Sequence, residues 1–274
     1  MQKAGALVAL SAGMSDRQVN RAVQGFARFG YAAKGVVYLV IGVLALSAAL
    51  GSGRTGDSHE AMNVLRDKPF GKLIIGIIGA GLFAYALWRL YSGIANPEGD
   101  SFGARLGYVG TGLINLGLGV EGLRIALLNS AGNGGNQAPH WTAEAMSKPM
   151  GRWLVIGAGI GIAAYGVWQL TRAARSKLDD QLRLGELEPH TRNLVHRLAR
   201  VGLAARGLVF GMIGWFVLKA GLEHDPSKAR DLGASIEAFR TPPFGIWLLV
   251  SVGGGLLLYG FYNLVRARYR VIHA

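Results

Sequence analysis

The sequence predicts an all-α polytopic membrane protein. Six transmembrane helices are expected, as three tandem parallel two-helix repeats in a pseudo-threefold bundle. Three observations carry that expectation. Several stretches of bilayer-spanning length hold no charge, a two-block pattern is written three times, and Lys and Arg gather on one side of the spans.

The repeat is the firmest of the three. ARFGYAAKGVVYLVIGVLAL from Ala27, ARLGYVGTGLINLGLGVEGL from Ala104 and ARVGLAARGLVFGMIGWFVL from Ala199 align without gaps. Gly35, Gly112 and Gly207 share one register, and Gly42, Gly119 and Gly214 another. A second block opens at Pro69, Pro149 and Pro243. It carries Tyr85, Tyr165 and Tyr259, then Trp88, Trp168 and Tyr262, at matching positions. Self-similarity at a fixed period marks an architecture in which each copy is one supersecondary unit.

A bilayer core takes about 20 mostly apolar residues per helix. Residues 35–53, 153–171 and 241–265 supply such runs without a charge. Residues 73–88, 106–120 and 207–218 are shorter or interrupted, yet each aligns with a cleaner run. Long basic side chains at the ends of such helices snorkel to the interface. The expected spans are therefore 33–51, 71–92, 106–128, 151–172, 202–222 and 244–265. They divide the chain into an N-terminal extension and amphipathic interfacial helix (1–25), repeat one (26–97), repeat two (98–178), a cytoplasmic linker (179–198) and repeat three (199–274). A β-barrel is excluded, because the apolar runs are too long and do not alternate.

Of 274 residues, 51% are hydrophobic and 16% charged, with 42 glycines and no cysteine. Disulfides, thiolate metal sites and thiol nucleophiles are excluded. The net charge of +13 would suggest nucleic acid in a soluble chain. Here the distribution explains it. Residues 1–34, 89–105, 172–206 and 266–274 hold 18 of the 29 Lys and Arg and 7 of the 16 acidic residues. By the positive-inside rule that side is cytoplasmic, which puts both termini inside a bacterial cytoplasmic (inner) membrane. No nucleic-acid partner is expected; the expected partners are membrane lipids, especially anionic headgroups of the cytoplasmic leaflet. A protein partner or a homo-oligomer is compatible with the pattern. Each repeat crosses twice, so the copies run parallel, unlike the inverted repeats of many transporters. Parallel copies either close round an axis along the membrane normal or pack in a row; the closed bundle is preferred.

Residues 1–13 read as a disordered extension rather than a cleaved leader. Ser15 with Gln18 makes a capping-box pattern, and residues 15–29 read as an amphipathic helix. Residues 193–201 resemble it, with Pro189 placed to open a helix. Both suit the inner interface, or packing on the bundle. The connector at 172–200 is charged with both signs and expected to be partly helical. On the far side, HEAMNVLRDK, TAEAMSK and DLGASIEAFR read as brief helices, each followed by a proline suited to the first turn of the next span.

Glycine spacings such as Gly157–Gly161 and Gly207–Gly211 suit close helix packing in lipid. GAGIG and VGGGL lie inside apolar spans, where a dinucleotide motif has no βαβ context. Glu121 and Arg124 are three apart on one helix face and are expected to form a local intramembrane ion pair. HExxH, GxSxG and P-loop patterns are absent, so no catalytic residue, metal or cofactor is expected. His59, His140 and His224 precede the three prolines at unequal spacings, which argues against a threefold metal site.

The candidate site is the repeated set at the inner face: Arg28, Arg105 and Arg200; Tyr85, Tyr165 and Tyr259; Trp88 and Trp168, with Tyr262; and Arg89, where the other copies have Gln169 and Asn263. Odd spans begin and even spans end on that side, so these groups share one depth. Its plain reading is an aromatic belt with positive-inside arginines. The sharper reading is a threefold set of anion or lipid-headgroup sites, since guanidinium groups bind phosphate bidentately.

The repeated A-R-x-G-Y-x-x-x-G and P-F-G…Y-x-x-W blocks resemble the bacterial membrane family called domain of unknown function 1206, which has three two-helix repeats. The resemblance covers residues 26–270. It departs at Leu203, in place of the tyrosine, at Tyr262, in place of the tryptophan, and at Thr111, where the other copies have Lys34 and Arg206. It implies a fold and a membrane location, and no reaction or substrate. The expected role is a non-enzymatic membrane module that binds lipid or organises a complex. The alternative is a small-solute or ion channel or transporter with a path along the pseudo-threefold axis, lined by Asn115, Glu121, Arg89, Gln169 and Asn263. A lipid-modifying enzyme has only Glu121 and loop histidines to offer.

Overall fold

The computed structural model describes residues 16–51, 55–66, 69–96, 102–128, 138–175, 188–240 and 245–269. Each repeat is a long helix, a short outer helix and a second long helix. The first comprises α1 (Asp16–Ala49), α2 (Ser58–Arg66) and α3 (Gly71–Ala95). The second comprises α4 (Phe102–Leu128), α5 (Ala138–Met146) and α6 (Gly151–Ala174). The third comprises α7 (Pro189–Glu223), α8 (Leu232–Glu237) and α9 (Gly245–Tyr269). No strand occurs among the described residues. Among the described residues, six helices are long and apolar enough to cross a membrane: α1 (from Gln24), α3, α4, α6, α7 and α9. This is a polytopic membrane protein.

The two stretches expected to lie on the interface do not form separate helices. Residues 16–49 are one helix of 34 residues, and Pro189–Glu223 is one of 35. Neither run contains an internal proline, and a glycine within a helix costs only about 1 kcal/mol. A break inside lipid would leave backbone groups without partners, at several kcal/mol each. Pro189 opens α7 at its first turn, as expected. The extension 1–13, Ser15 and much of the charged connector (176–187) lie outside the described residues.

Two of the three prolines behave differently from expectation; Pro243 lies outside the described residues. Pro69 and Pro149 sit before, not within, the first turn of the following helix. Phe70 and Met150 are the N-caps, in left-handed backbone at φ 60° and 61°. Gly71 and Gly151 follow because a Cβ there would run into the carbonyls of Leu65 and Ala145. In the first two repeats the P-x-G element is thus a tight turn that folds the second long helix back against the short helix before it.

The long helices form a ring in the order α1, α3, α4, α6, α7, α9. Its tightest pairs are α3 with α4, α6 with α7, and α9 with α1. Each joins the last helix of one repeat to the first helix of the next, cyclically, which is the pseudo-threefold relation. The glycine register creates these pairs. A Cβ at Gly35, Gly112 or Gly207 would fall 2.8, 2.8 and 2.9 Å from Leu264, Leu90 and Leu170, three equivalent leucines. Gly42 and Gly119 oppose Leu257 and Phe83 at 2.7 Å, and Gly214 opposes Ala163. Such contact replaces the hydrophobic effect, which does not draw helices together in lipid.

Within the repeats the ring is less regular. α1 packs on α3 and α7 on α9, but α4 and α6 make no comparable contact, so one of the six seams is open. α4 and α6 are also the least buried of the six spans. The architecture is therefore a pseudo-threefold bundle opened at one seam.

Candidate anion-binding site

Four cations are buried inside the ring, near the end where α1 enters and α9 leaves: Lys34, Arg89, Arg206 and Arg266. Helix geometry puts the first and third there. Lys34 and Arg206 lie one turn after Gly30 and Gly202, on the same helix face. That face is forced inward, because Gly30 meets Tyr85 and Gly202 meets Tyr259 at backbone distance. Arg89 follows Tyr85 by one turn on α3, and Arg266 lies near the end of α9.

Their partners are phenols. Arg206 donates through Nε to the Tyr38 hydroxyl at 3.0 Å. Its Nη1 donates to Tyr259 at 3.1 Å, to Tyr165 at 3.3 Å and to Oε1 of Gln169 at 3.1 Å. Arg89 donates to the hydroxyls of Tyr85 at 3.0 Å and Tyr31 at 3.3 Å. Arg266 donates to that same Tyr31 oxygen at 2.9 Å, so one phenol accepts from two guanidinium groups. Arg89 also stacks on Trp88 and Tyr108, both at 4.5 Å. Lys34 sits 4.9 Å from the Tyr85 ring centre and, among the described residues, has no hydrogen-bond acceptor. It joins the two halves of the cluster, lying close to both Tyr259 and Arg206.

No carboxylate is paired with any of these four cations among the described residues. A basic side chain at mid-membrane depth costs roughly 2.5–3.5 kcal/mol by insertion scales. Four like charges in one cluster add mutual repulsion. Cation–π contacts return about 1–2 kcal/mol each when desolvated. The hydrogen-bond inventory is lopsided too. Cations are donors only, and the Gln169 Nε2 is buried with no acceptor. The cluster is rich in donors and positive charge, although one buried acceptor beside it, the Asn263 Oδ1, also has no partner. Its excess of charge is what an oxyanion would offset.

The sequence-predicted residues are distributed unequally. Tyr85, Tyr259, Trp88 and Arg89 are in the cluster and buried. Tyr165 belongs to it but is only half-buried, and Trp168 is 49% exposed where its counterpart Trp88 is 4% exposed. The rim arginines lie elsewhere. Arg105 donates to the carbonyls of Gly93 and Ile94 at the end of α3, Arg200 is exposed, and Arg28 is half-buried beside the ring. Glu121 and Arg124 form no ion pair: Arg124 is exposed and Glu121 half-buried. Sequence reasoning passed over Lys34, Arg206, Arg266, Tyr31 and Tyr38. The available signal was the i, i+4 relation between a packing glycine and a cation, Gly30 to Lys34 and Gly202 to Arg206.

The family described as Domain of Unknown Function (DUF1206) matches three times, over residues 29–96, 106–176 and 201–270. The chain belongs to this family. Its three matches coincide with the three structural repeats. An uncharacterized protein of Bacillus subtilis (strain 168), YxxB, is 28% identical over 253 residues, 90% of this chain and 91% of that protein. No solved structure matches. In this chain each matched segment is a helix–short helix–helix unit, and glycines line the contacts both between successive copies and within the first and third.

Proposed function

We propose that this protein is a non-enzymatic membrane module that binds an anion inside its helix ring, the ligand being the headgroup of an anionic lipid from the cytoplasmic leaflet of a bacterial inner membrane. One observation carries the reading: four buried cations whose partners are phenols and an amide, with no carboxylate. The charge bias of the loops supports a cytoplasmic position for that end of the bundle. Beyond the cluster the core is apolar, with Ile41, Ile78, Leu82, Val252 and Leu256 buried. A dead-end site therefore has more support than a solute path along the axis.

Thermal unfolding of detergent-purified protein tests this. Phosphatidylglycerol and inorganic phosphate should each raise stability, by about 2.7 kcal/mol at a hundredfold excess over Kd, and zwitterionic lipid should not. Lys34→Met should abolish that response while the protein stays folded, since Lys34 gives up no hydrogen bond. Arg206→Met should lower stability by about 3 kcal/mol, because four acceptors lose their donor. An unmodified protein indifferent to every anion, or equally responsive to zwitterionic lipid, would overturn the reading.

A further inference from the structure

The open seam between α4 and α6 lies beside the cation cluster, through Tyr108 and Tyr165. In the first and third repeats the corresponding seam is closed by small residues. Ala33 meets Gly81, Gly30 meets Tyr85, Ala205 meets Gly255 and Gly202 meets Tyr259. The second repeat keeps the small residues as Gly110, Gly161 and Gly107. A Cβ added at any of these three would meet nothing within 4 Å.

The walls of the gap are tied to the cluster from both sides. Tyr108 on α4 covers Arg89 at 4.5 Å, and Tyr165 on α6 accepts from Arg206 at 3.3 Å. Gln169 lies one turn beyond Tyr165, on the stripe that faces the closed seam in the other repeats (Gly81, Tyr85, Arg89 and Gly255, Tyr259, Asn263). It is 1% exposed, and its Nε2 lacks an acceptor. Thr111 stands where the other copies place Lys34 and Arg206, so the lining of the gap is small and uncharged up to the cations.

We infer that the α4–α6 seam is a lateral portal that seats an acyl chain of the bound lipid, with the headgroup on Arg206, Lys34 and the Gln169 amide. This rests on the anion-binding reading above and adds the place where the lipid's chain leaves the bundle. Glycines that meet only open space line the gap, and its two walls touch Arg89 and Arg206, an arrangement that suits the amphipathic profile of an anionic lipid.

The test fills the gap. Gly110→Leu with Gly161→Leu puts side chains into open space and leaves the cations untouched. Native mass spectrometry reads retained phosphatidylglycerol, and the thermal shift reads added phosphate. Retention should fall by about tenfold or more, the effect of losing a couple of buried methylenes, while the phosphate response persists. Unchanged retention overturns the portal. A wild-type protein that responds to phosphate but retains no phosphatidylglycerol also overturns it and leaves the anion site standing. Failure of both ligands on the wild-type protein removes the anion reading itself. A wild-type dimer that the double variant abolishes would assign the gap to a second copy and overturn the lipid. A second measurement needs no filled variant: phosphatidylglycerol with brominated chains should quench Trp168 at the seam more than brominated phosphatidylcholine does. Equal quenching counts against the portal.

Discussion

The seams α1–α3 and α7–α9 are closed and α4–α6 is open, although all three are written with the same small residues. The contrast teaches that glycine permits a contact in lipid without enforcing it. Gly30 and Gly202 touch the backbones of Tyr85 and Tyr259; Gly107, in the same register, touches nothing. The closed seams have a second component. Lys34 lies over Tyr85 across the first, and Arg206 bonds Tyr259 across the third. The open seam has Thr111 opposite Tyr165, and Tyr165 has turned to Arg206 of the neighbouring repeat. A cation–phenol contact closes a seam that the glycines only make possible.

The contrast breaks most visibly under bulk. At Gly30, a Cβ would stand 2.8 Å from the Tyr85 Cα, and at Gly202 2.7 Å from that of Tyr259. Gly30→Leu or Gly202→Leu must push two helices apart, which costs about 3 kcal/mol or more, the upper range for overpacking. Gly107→Leu should cost nothing and gain up to about 1 kcal/mol in helix propensity. Thermal unfolding of the three variants in one detergent decides it. Equal losses at all three positions would mean that α4 and α6 pack as closely as their counterparts.

A smaller effect sharpens the explanation. Thr111→Arg restores the missing cation beside Tyr165, and a desolvated cation–π contact is worth about 2 kcal/mol. That should draw α4 toward α6. The chain has no cysteine, so Gly110→Cys with Gly161→Cys reports the approach cleanly, and Ala33→Cys with Gly81→Cys is the closed-seam reference. The reference pair should oxidise readily. The Gly110/Gly161 pair should oxidise slowly, and about tenfold or more faster once Thr111→Arg is added. An unaltered rate would show that the seam is held open by something other than the missing cation.

This also marks what was legible in the sequence. The six spans and the parallel repeats were readable because triplication lends each weak apolar run the strength of its counterparts. Depth was readable for Tyr85, Tyr259 and Arg89, since helix direction fixes it. Which face a residue presents was harder. Arg28 is two residues before Gly30, about 200° round the helix, so it points away from the contact that draws Lys34 inward. The positive-inside rule reports the side of the membrane and is blind to that rotation. The open seam was not legible at all, because Gly107 and Gly161 carry the same signal as glycines that are covered. Thr111 and the neighbouring Gly110, where the closed seams have Ala33 and Ala205, do differ, but two small substitutions in an apolar span do not announce a gap.

The smallest expected effect concerns what the seam helices hold instead of each other. Arg105, on α4, donates through Nε and Nη2 to the carbonyls of Gly93 and Ile94 at the end of α3, at 2.9 and 3.0 Å. Arg152, in the first turn of α6, does the same to Gly221 and Leu222 at the end of α7, both at 3.0 Å. These carbonyls have no partner within their own helices, and a guanidinium there also complements the negative end of the helix dipole. The two latches lie at opposite ends of the bundle, and each ties a seam helix to its outward neighbour. Arg105→Ala or Arg152→Ala should therefore cost about 1–2 kcal/mol, the worth of charge-assisted hydrogen bonds at a partly exposed site. Lysine should restore only part of this, because one ammonium does not reproduce the planar fork that spans two carbonyls. Loosening a latch also frees its helix to move toward the gap, so either alanine variant should raise the Gly110→Cys/Gly161→Cys oxidation rate by less than Thr111→Arg does. Full restoration by lysine would reduce the latch to its charge, and a rate that falls would mean the latches hold the seam together.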